Sequence, residues 1–418
     1  RDQPRSRGLG DVYKRQIIMW ALKVAYYRAY QKVMKVMLYF LDWSEPQLLT
    51  GPGSIRKLPS VIKEKGIGKV MIVTDKGLMS LNLLDGLFEE LDKAGISYVV
   101  YDGVQPNPSI ENIEEAREMF VSNGCEAMIA FGGGSPMDCA KAACARVVRP
   151  NKTIPQMRGV LKVMRKLPPF FAVPTTAGTG SETTVAAVVS NTQTHEKYAI
   201  NDPCLRPKFA VLDPELTTGL PQKITSTTGL DALTHAVEAY IGKSNTRETE
   251  DYAEKATKLI FENLETCYND GQNIEARGQM LLASFYAGMA FTRAYVGYVH
   301  AIAHNLGGMY GIPHGLANSV ILPVVLEEYG STIYPRLAKL AEIVGINGQT
   351  EEELAKGFIA EIKAMNERMA IPTAFEQIKE EDIPTIVERA MKEAHPLYPT
   401  PVIFDADRLA QIVRKLKG

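Results

Sequence analysis

Residues 299–315 read VHAIAHNLGGMYGIPHG and carry three of the chain's six histidines. His300 and His304 stand four residues apart, so on a helix they share one face. His314 follows a turn marked by Gly311 and Pro313 and opens a further helical pattern. Upstream, GLDALTHAVE sets Asp231 and His235 at the same i, i+4 spacing. Any one of these histidines could simply pack in a core. Two helices that each offer an i, i+4 pair, with a third imidazole at a helix start, point instead to a metal ion. Imidazole and carboxylate suit Fe2+ or Zn2+, and no thiolate is placed to join them. Four such ligands leave positions for a substrate oxygen, so one of the five candidates is surplus. Spacing does not say whether His304 is a ligand or a proton-handling neighbour.

Two further segments have the composition of phosphate-binding loops. FGGGSPMDCAKA places Gly132, Gly133 and Gly134 after a strand and before a helix. Ser135 is expected to cap that helix, and Pro136 suits its first turn. The helix N-terminus offers N–H donors and partial positive charge to a phosphate. The spacing is not that of the GxGxxG fingerprint, and a plain strand–helix turn is the alternative. PTTAGTGSE (174–182) supplies hydroxyls from Thr175, Thr176, Thr179 and Ser181, unless it is a small hairpin turn. Two such loops at strand ends suit a diphosphate and a ribose. Asp75 closes the strand pattern KVMIVTD; a carboxylate there accepts from a ribose hydroxyl and repels a 2′-phosphate, favouring NAD over NADP. Its plain alternative is a cap or turn residue.

The elements that must position these residues divide the chain in two. Between about 50 and 215, short apolar runs (KVMIVTD, SYVVYDGV, AMIAFGGG, PFFAVPTT, FAVLDPE) alternate with helical patterns such as LLDGLFEELDKAG and ENIEEAREMFVSNG. That alternation implies parallel strands joined by crossovers, with ligands at their carboxyl ends. Beyond DPELTTGLP (213–221) only helical spacing remains. The expected domains are an N-terminal α/β dinucleotide-binding domain, 17–215, and a C-terminal all-helical metal-binding domain, 216–418. Residues 1–16, RDQPRSRGLGDVYKRQ, are polar and begin without Met; they read as a non-native or disordered extension. The segment 17–41 is apolar but interrupted by Lys23, Arg28, Lys32 and Lys35, which argues against a transmembrane helix. Its basic amphipathic pattern would suit a membrane surface; packing against the same protein or a partner subunit is the reading preferred here.

With 23% charged residues and a net charge of −1, nothing points to a nucleic-acid or membrane partner. Five cysteines without a CxxC pair suit reduced thiols in the cytoplasm.

Taken together, GPGSIRKL, FGGGSPMDCAKA, PTTAGTGSE, LDPELTTGLPQ, TGLDALTHAVEAY and HAIAHNLGGMYGIPHGLANSVILP resemble the iron-containing (group III) alcohol dehydrogenase family, over most of the chain from residue 51. The resemblance implies the dehydroquinate synthase-like, iron-dependent alcohol dehydrogenase fold, with the active site between two domains. It implies Asp231, His235, His300 and His314 as ligands of one Fe2+, with Zn2+ the alternative, and His304 as a non-ligand histidine beside the nicotinamide. Gly133, Gly134, Ser135 and Asp138 correspond to the diphosphate region. Thr175, Thr176, Thr179 and Ser181 correspond to the loop around the nucleotide, and Lys197 to a lysine near the nicotinamide ribose; as a plain alternative Lys197 is a solvated loop charge. Leu216 and Leu220 correspond to positions lining the adenine or ribose. Two departures stand out: Ser226 occupies a position usually filled by a small apolar residue, and the helix over 17–41 is longer than in many members.

The implied reaction is reversible, NAD(H)-linked oxidation of a small primary alcohol or diol to an aldehyde, with NADP as the alternative cofactor and a homodimer or larger homo-oligomer as the assembly. In it the ion polarises the substrate oxygen and His304 relays a proton. A glycerol dehydrogenase-type polyol oxidoreductase is the nearest rival. A dehydroquinate synthase-like lyase is more distant, because residues 226–315 carry no basic cluster for a phosphate-bearing substrate. A non-catalytic nucleotide sensor comes last.

Overall fold

The structure is a computed structural model that describes residues 5–39, 41, 43–193 and 196–418, with side chains of the first helix from Ile18 to Leu38. Residues 1–4 of the polar leader, and His195, lie outside the described residues.

Among the described residues nine strands are formed: β1 (Gln47–Thr50), β2 (Lys69–Val73), β3 (Ser97–Tyr101), β4 (Ala127–Gly132), β5 (Gly159–Val160), β6 (Phe170–Pro174), β7 (Ala186–Asn191), β8 (Glu196–Asn201) and β9 (Phe209–Leu212). Six make one sheet in the order β1-β9-β6-β4-β2-β3, with every pair parallel. Its central strands β4 and β6 are buried at every position, which is why they read as unbroken apolar runs rather than alternating ones. Apolar layers cover both faces: Met71, Met128, Ala130 and Ala172 on one side, and Val70, Ile72, Ile129 and Phe171 on the other.

Register brings the two polar loops together. Gly132, the last residue of β4, lies opposite Pro174, the last of β6. The Thr175 N–H continues the ladder by donating to the Gly132 carbonyl at 3.1 Å. β2 flanks β4 on the other side, so Asp75 emerges next to the glycine turn.

The strands expected from the apolar runs are present as β2, β3, β4, β6 and β9. A second, three-stranded sheet in the order β5-β8-β7 was not expected. Its strands are short, and β8 mixes charged and apolar residues, so the sequence offered little periodicity. As a result Lys197 sits on a strand, not in a solvated loop.

Among the described residues strands end at Leu212, and the helix Gln222–Ile241 begins ten residues later. That helix is buried without a break from Gly229 to Ile241, as expected of a helix enclosed by others. Around it lie Arg247–Asn269, Ile274–Ala294, Tyr298–Tyr310, His314–Tyr329 and the helices to Lys415, sharing one apolar core. Asp213 ties the end of β9 to the turn after β1, accepting N–H bonds from Gly53 and Ile55, and also from Glu215.

The N-terminal helix spans Arg5–Tyr39. Its Arg28 donates to the carbonyls of Thr400 and Pro401, and Gln31 to those of Pro396 and Tyr398. Tyr27 stacks on His395 with ring centroids 4.9 Å apart. This face packs on the same chain, as the sequence led us to expect.

Candidate metal and nucleotide site

Asp231 and His235 project from the same side of the central helix. His300 lies in the first turn of Tyr298–Tyr310, and His314 is the first residue of His314–Tyr329. Gly311, in the left-handed region at φ 68°, ends the former helix, and Pro313 precedes the latter. One ligand-capable atom from each of Asp231, His235, His300 and His314 lies within 4.8 Å of all the others. Gly315 permits this approach: a Cβ there would sit 2.4 Å from the Thr227 carbonyl oxygen on the central helix.

Burial is graded across the group. The Asp231 and His300 side chains are only 3% exposed, whereas His314 is 40% and His304 42% exposed. Desolvation holds His235 down to about 4 and His314 to about 3, and His300 well below its usual value. All three imidazoles are therefore neutral at pH 7 and have a lone pair to offer. Burial also raises the Asp231 carboxyl.

His304 stands apart from the four. Its ring stacks on His314, with centroids 5.1 Å apart and planes 13° apart. Its Nδ1 lies 2.7 Å from Glu393 Oε1, which also accepts from the Tyr398 hydroxyl at 2.9 Å. Burial alone would lower the His304 pKa, but the charge and hydrogen bond of Glu393 outweigh it and raise the value. The Lys197 ammonium is close enough to oppose the charging of both His304 and His314.

Three supporting residues around the four ligand candidates and His304 were missed in the sequence. Glu238 accepts from His300 Nδ1 at 2.7 Å and from the backbone N–H groups of Gly297 and Val299 at 2.9 and 2.8 Å. Its signal was present: 231, 235 and 238 follow i, i+4, i+7 on one helical stripe. Asn318 sets its Nδ2 2.6 Å from Asp231 Oδ1, 3.1 Å from His300 Nε2 and 3.2 Å from His314 Nε2. An amide nitrogen has two protons and cannot satisfy three acceptors. Glu393 is more than 75 residues from the nearest ligand, and no local pattern marks it.

The helix carrying His314 contains Pro323. Proline has no N–H, so the Ser319 carbonyl loses its intrahelical donor. Asn366, from the helix Glu351–Arg368, donates to that carbonyl at 2.8 Å instead.

On the nucleotide side the expectation for Ser135 needs correction. The helix Gly134–Val148 has Gly133 as its N-cap, without a side-chain cap. Ser135 already lies inside the first turn, and its hydroxyl accepts from the Asn107 N–H at 3.1 Å. Pro136 is in that first turn as expected. Gly132 adopts φ 145°, and a Cβ on it would meet Pro136 at 2.6 Å and Leu78 at 3.0 Å. Thr176 and Thr179 face Gly133 and Gly134 across the paired loops. Asp75 caps the short helix Lys76–Ser80 through Leu78 N–H, so one carboxylate oxygen takes the plain role.

Asp138 and Ser181 are turned inward. Asp138 accepts from the Ser181 hydroxyl at 2.9 Å and from Val188 N–H at 3.1 Å. Lys141, fully buried and unremarked in the sequence, donates to oxygens of Ser181, Thr184 and Ala186 at 2.6–3.1 Å. This network clamps the second polar loop to the glycine-turn helix. Leu216 is 6% exposed in the apolar layer beneath the sheet, while Leu220 is partly exposed. Ser226 satisfies its hydroxyl on the Lys223 carbonyl.

Comparison with known proteins identifies the family. Residues 46–214 match the family model for iron-containing alcohol dehydrogenase, and residues 225–416 that for the C-terminal part of the Fe-containing alcohol dehydrogenase family. The chain belongs to the iron-containing alcohol dehydrogenase family. It is an oxidoreductase acting on CH–OH groups. It is 38% identical over 372 residues to a 1,3-propanediol dehydrogenase of Citrobacter freundii, covering 87% of this chain and 95% of that one. An NAD-dependent methanol dehydrogenase of Bacillus methanolicus is 34% identical over 373 residues, covering 88% and 97%. A crystal structure of 1,3-propanediol oxidoreductase superposes with a TM-score of 0.87 at 36% identity, covering 90% of this chain and all of that one.

Proposed function

We propose that the chain interconverts a small primary alcohol or diol and its aldehyde, with Asp231, His235, His300 and His314 holding one Fe2+ and the two polar loops holding NAD(H). The observation that carries this is the convergence of four lone-pair donors within 4.8 Å. Among the described residues Asn318 is the hydrogen-bond donor set between them, and its own Oδ1 is buried without a partner. Such an excess of acceptors is the environment of a cation. When bound, the ion supplies Lewis acidity toward an alcohol oxygen and the nicotinamide supplies the hydride chemistry.

The residues of the chain do the rest. Asp231 brings one negative charge against the ion's two. Glu238 fixes the His300 tautomer so that Nε2 faces Asp231. Glu393 holds His304 at the exposed edge, where an imidazole can pass a proton between substrate and water. Lys197 lies on the same side and suits the nicotinamide ribose. Asp75, beside the glycine turn, supports NAD over NADP through its remaining carboxylate oxygen. The proposal includes the division into 17–215 and 216–418, and a cytoplasmic homo-oligomer, which five free thiols and the family resemblance support.

The test is metal analysis of anaerobically purified protein together with turnover of short aldehydes by NADH and NADPH. Bound iron and NADH-dependent reduction are expected. Phosphate release without net NADH consumption would indicate a lyase instead. Preference for NADPH by about tenfold or more would defeat the argument from Asp75.

A further inference from the structure

The family match begins at residue 46, and the superposed 1,3-propanediol oxidoreductase is covered completely while a tenth of this chain is left over. The N-terminal helix is therefore an addition to a fold that is complete without it. Its inner face is accounted for by Tyr27, Arg28 and Gln31. Its outer face is not: Met19, Leu22, Tyr26, Val33, Val36 and Met37 are each 54–62% exposed. At 3.6 residues per turn these six fall within an arc of about 100°, along about 27 Å of helix. Lys23 and Lys32 lie about 90° to either side of the arc's centre by the same geometry. No Asp or Glu occurs between Ile18 and Tyr39.

A second observation adjoins the first. A cavity of about 520 Å³ opens along one edge of the helix, lined by Arg28, Lys32, Lys35, Lys243 and Arg336. Arg336 is paired with Glu250, and Lys35 donates to the Asn245 carbonyl. Lys32 belongs to both features, bordering the apolar arc and lining the cationic cavity.

We propose that the outer face of the N-terminal helix docks on an anionic lipid surface. The apolar arc lies in the interfacial layer, the flanking lysines reach phosphates on either side, and the cavity accommodates a phosphate-bearing headgroup. Charge selects this occupant over a second copy of the chain. Two such helices packed together would contribute lysines at every edge and no carboxylate to meet them, whereas an anionic surface neutralises all of them. The mode is surface attachment: among the described residues no helix is long and apolar enough to cross a membrane.

The experiment is co-sedimentation of the full chain with vesicles of phosphatidylcholine alone and of phosphatidylcholine mixed with phosphatidylglycerol. Binding to the mixed vesicles is expected to be at least about tenfold tighter and to weaken in high salt. Leu22→Glu with Val33→Glu should abolish it, and Lys23→Glu with Lys32→Glu should remove the preference for anionic lipid. Turnover of aldehyde should be unchanged in both pairs, since all four side chains are exposed and lie on faces of the helix turned away from Tyr398. Equal binding to both vesicle types, or no binding, would overturn the proposal. So would a dimer in sedimentation velocity that Leu22→Glu/Val33→Glu converts to monomer, because the face would then be a subunit interface.

Discussion

Glu238 and His300 form a carboxylate–imidazole pair, Oε2 to Nδ1 at 2.7 Å, whose carboxylate also receives the N–H groups of Gly297 and Val299. The pair therefore orients a side chain and the start of its helix together. Replacing Glu238 with Gln keeps the shape but cannot accept from all three donors without turning an NH2 toward one of them. Metal affinity should fall by about 10- to 100-fold, read by competition with a chelator. An unchanged affinity would mean that His300 needs no such anchor.

Gly315 offers a steric test. Gly315→Ala places a methyl 2.4 Å from the Thr227 carbonyl oxygen, and neither backbone can yield without moving His314 or Asp231. A loss of stability of about 1–3 kcal/mol is expected, together with faster loss of metal on dialysis. Thermal unfolding and metal content check both. Lower stability with metal retention intact would show that the helix start can shift without dragging His314.

His304 and Glu393 give a kinetic test. Glu393→Gln leaves the four converging donors untouched and weakens the hold on His304. We expect kcat to fall by about tenfold or more with metal content unchanged, and His304→Gln to fall at least as far. Equal turnover in wild type and Glu393→Gln would remove the carboxylate from any part in orienting the imidazole.

Lys141 links stability to pH. Burial lowers its ammonium to about 8 from the ordinary 10.5, so between those values the unfolded chain binds more protons than the folded one. Stability contributed by this group rises with pH across that window. Lys141→Met should destabilise the protein by about 1–3 kcal/mol by leaving the oxygens of Ser181, Thr184 and Ala186 without their donor. The gap between wild type and variant should widen from pH 8 to pH 10 in urea denaturation. A gap that narrows would mean the ammonium is favoured, not disfavoured, by its oxygens.

What the sequence made legible was periodic. The central strands read as apolar runs, and Asp231/His235 and His300/His304 read as helical pairs. Glu238 sat on the same stripe and could have been found by extending it one turn. Asn318 and Glu393 could not, because their roles exist only once separate helices cross. Ser135 shows the limit of cap rules: with three glycines before it, the chain enters the helix earlier, and the serine is left to bond a neighbouring loop. Asp138 and Ser181 follow family positions, yet they face each other and Lys141. The β5-β8-β7 sheet escaped because its strands are too short and mixed to show a period.

Pro323 has a consequence beyond its own helix. The Ser319 carbonyl it frees is one residue past Asn318 and five past His314, and it is held from outside by Asn366. Packing and the Asn318–Asp231 bond already restrain this helix; the Asn366 bond adds a directional restraint on its rotation about the long axis. The C-terminal bundle thus helps set the azimuth of the helix, and with it the bearing of His314 and Asn318 toward Asp231. Changes around Asn366, far along the chain from any ligand, would reach the site as rotation rather than as distance.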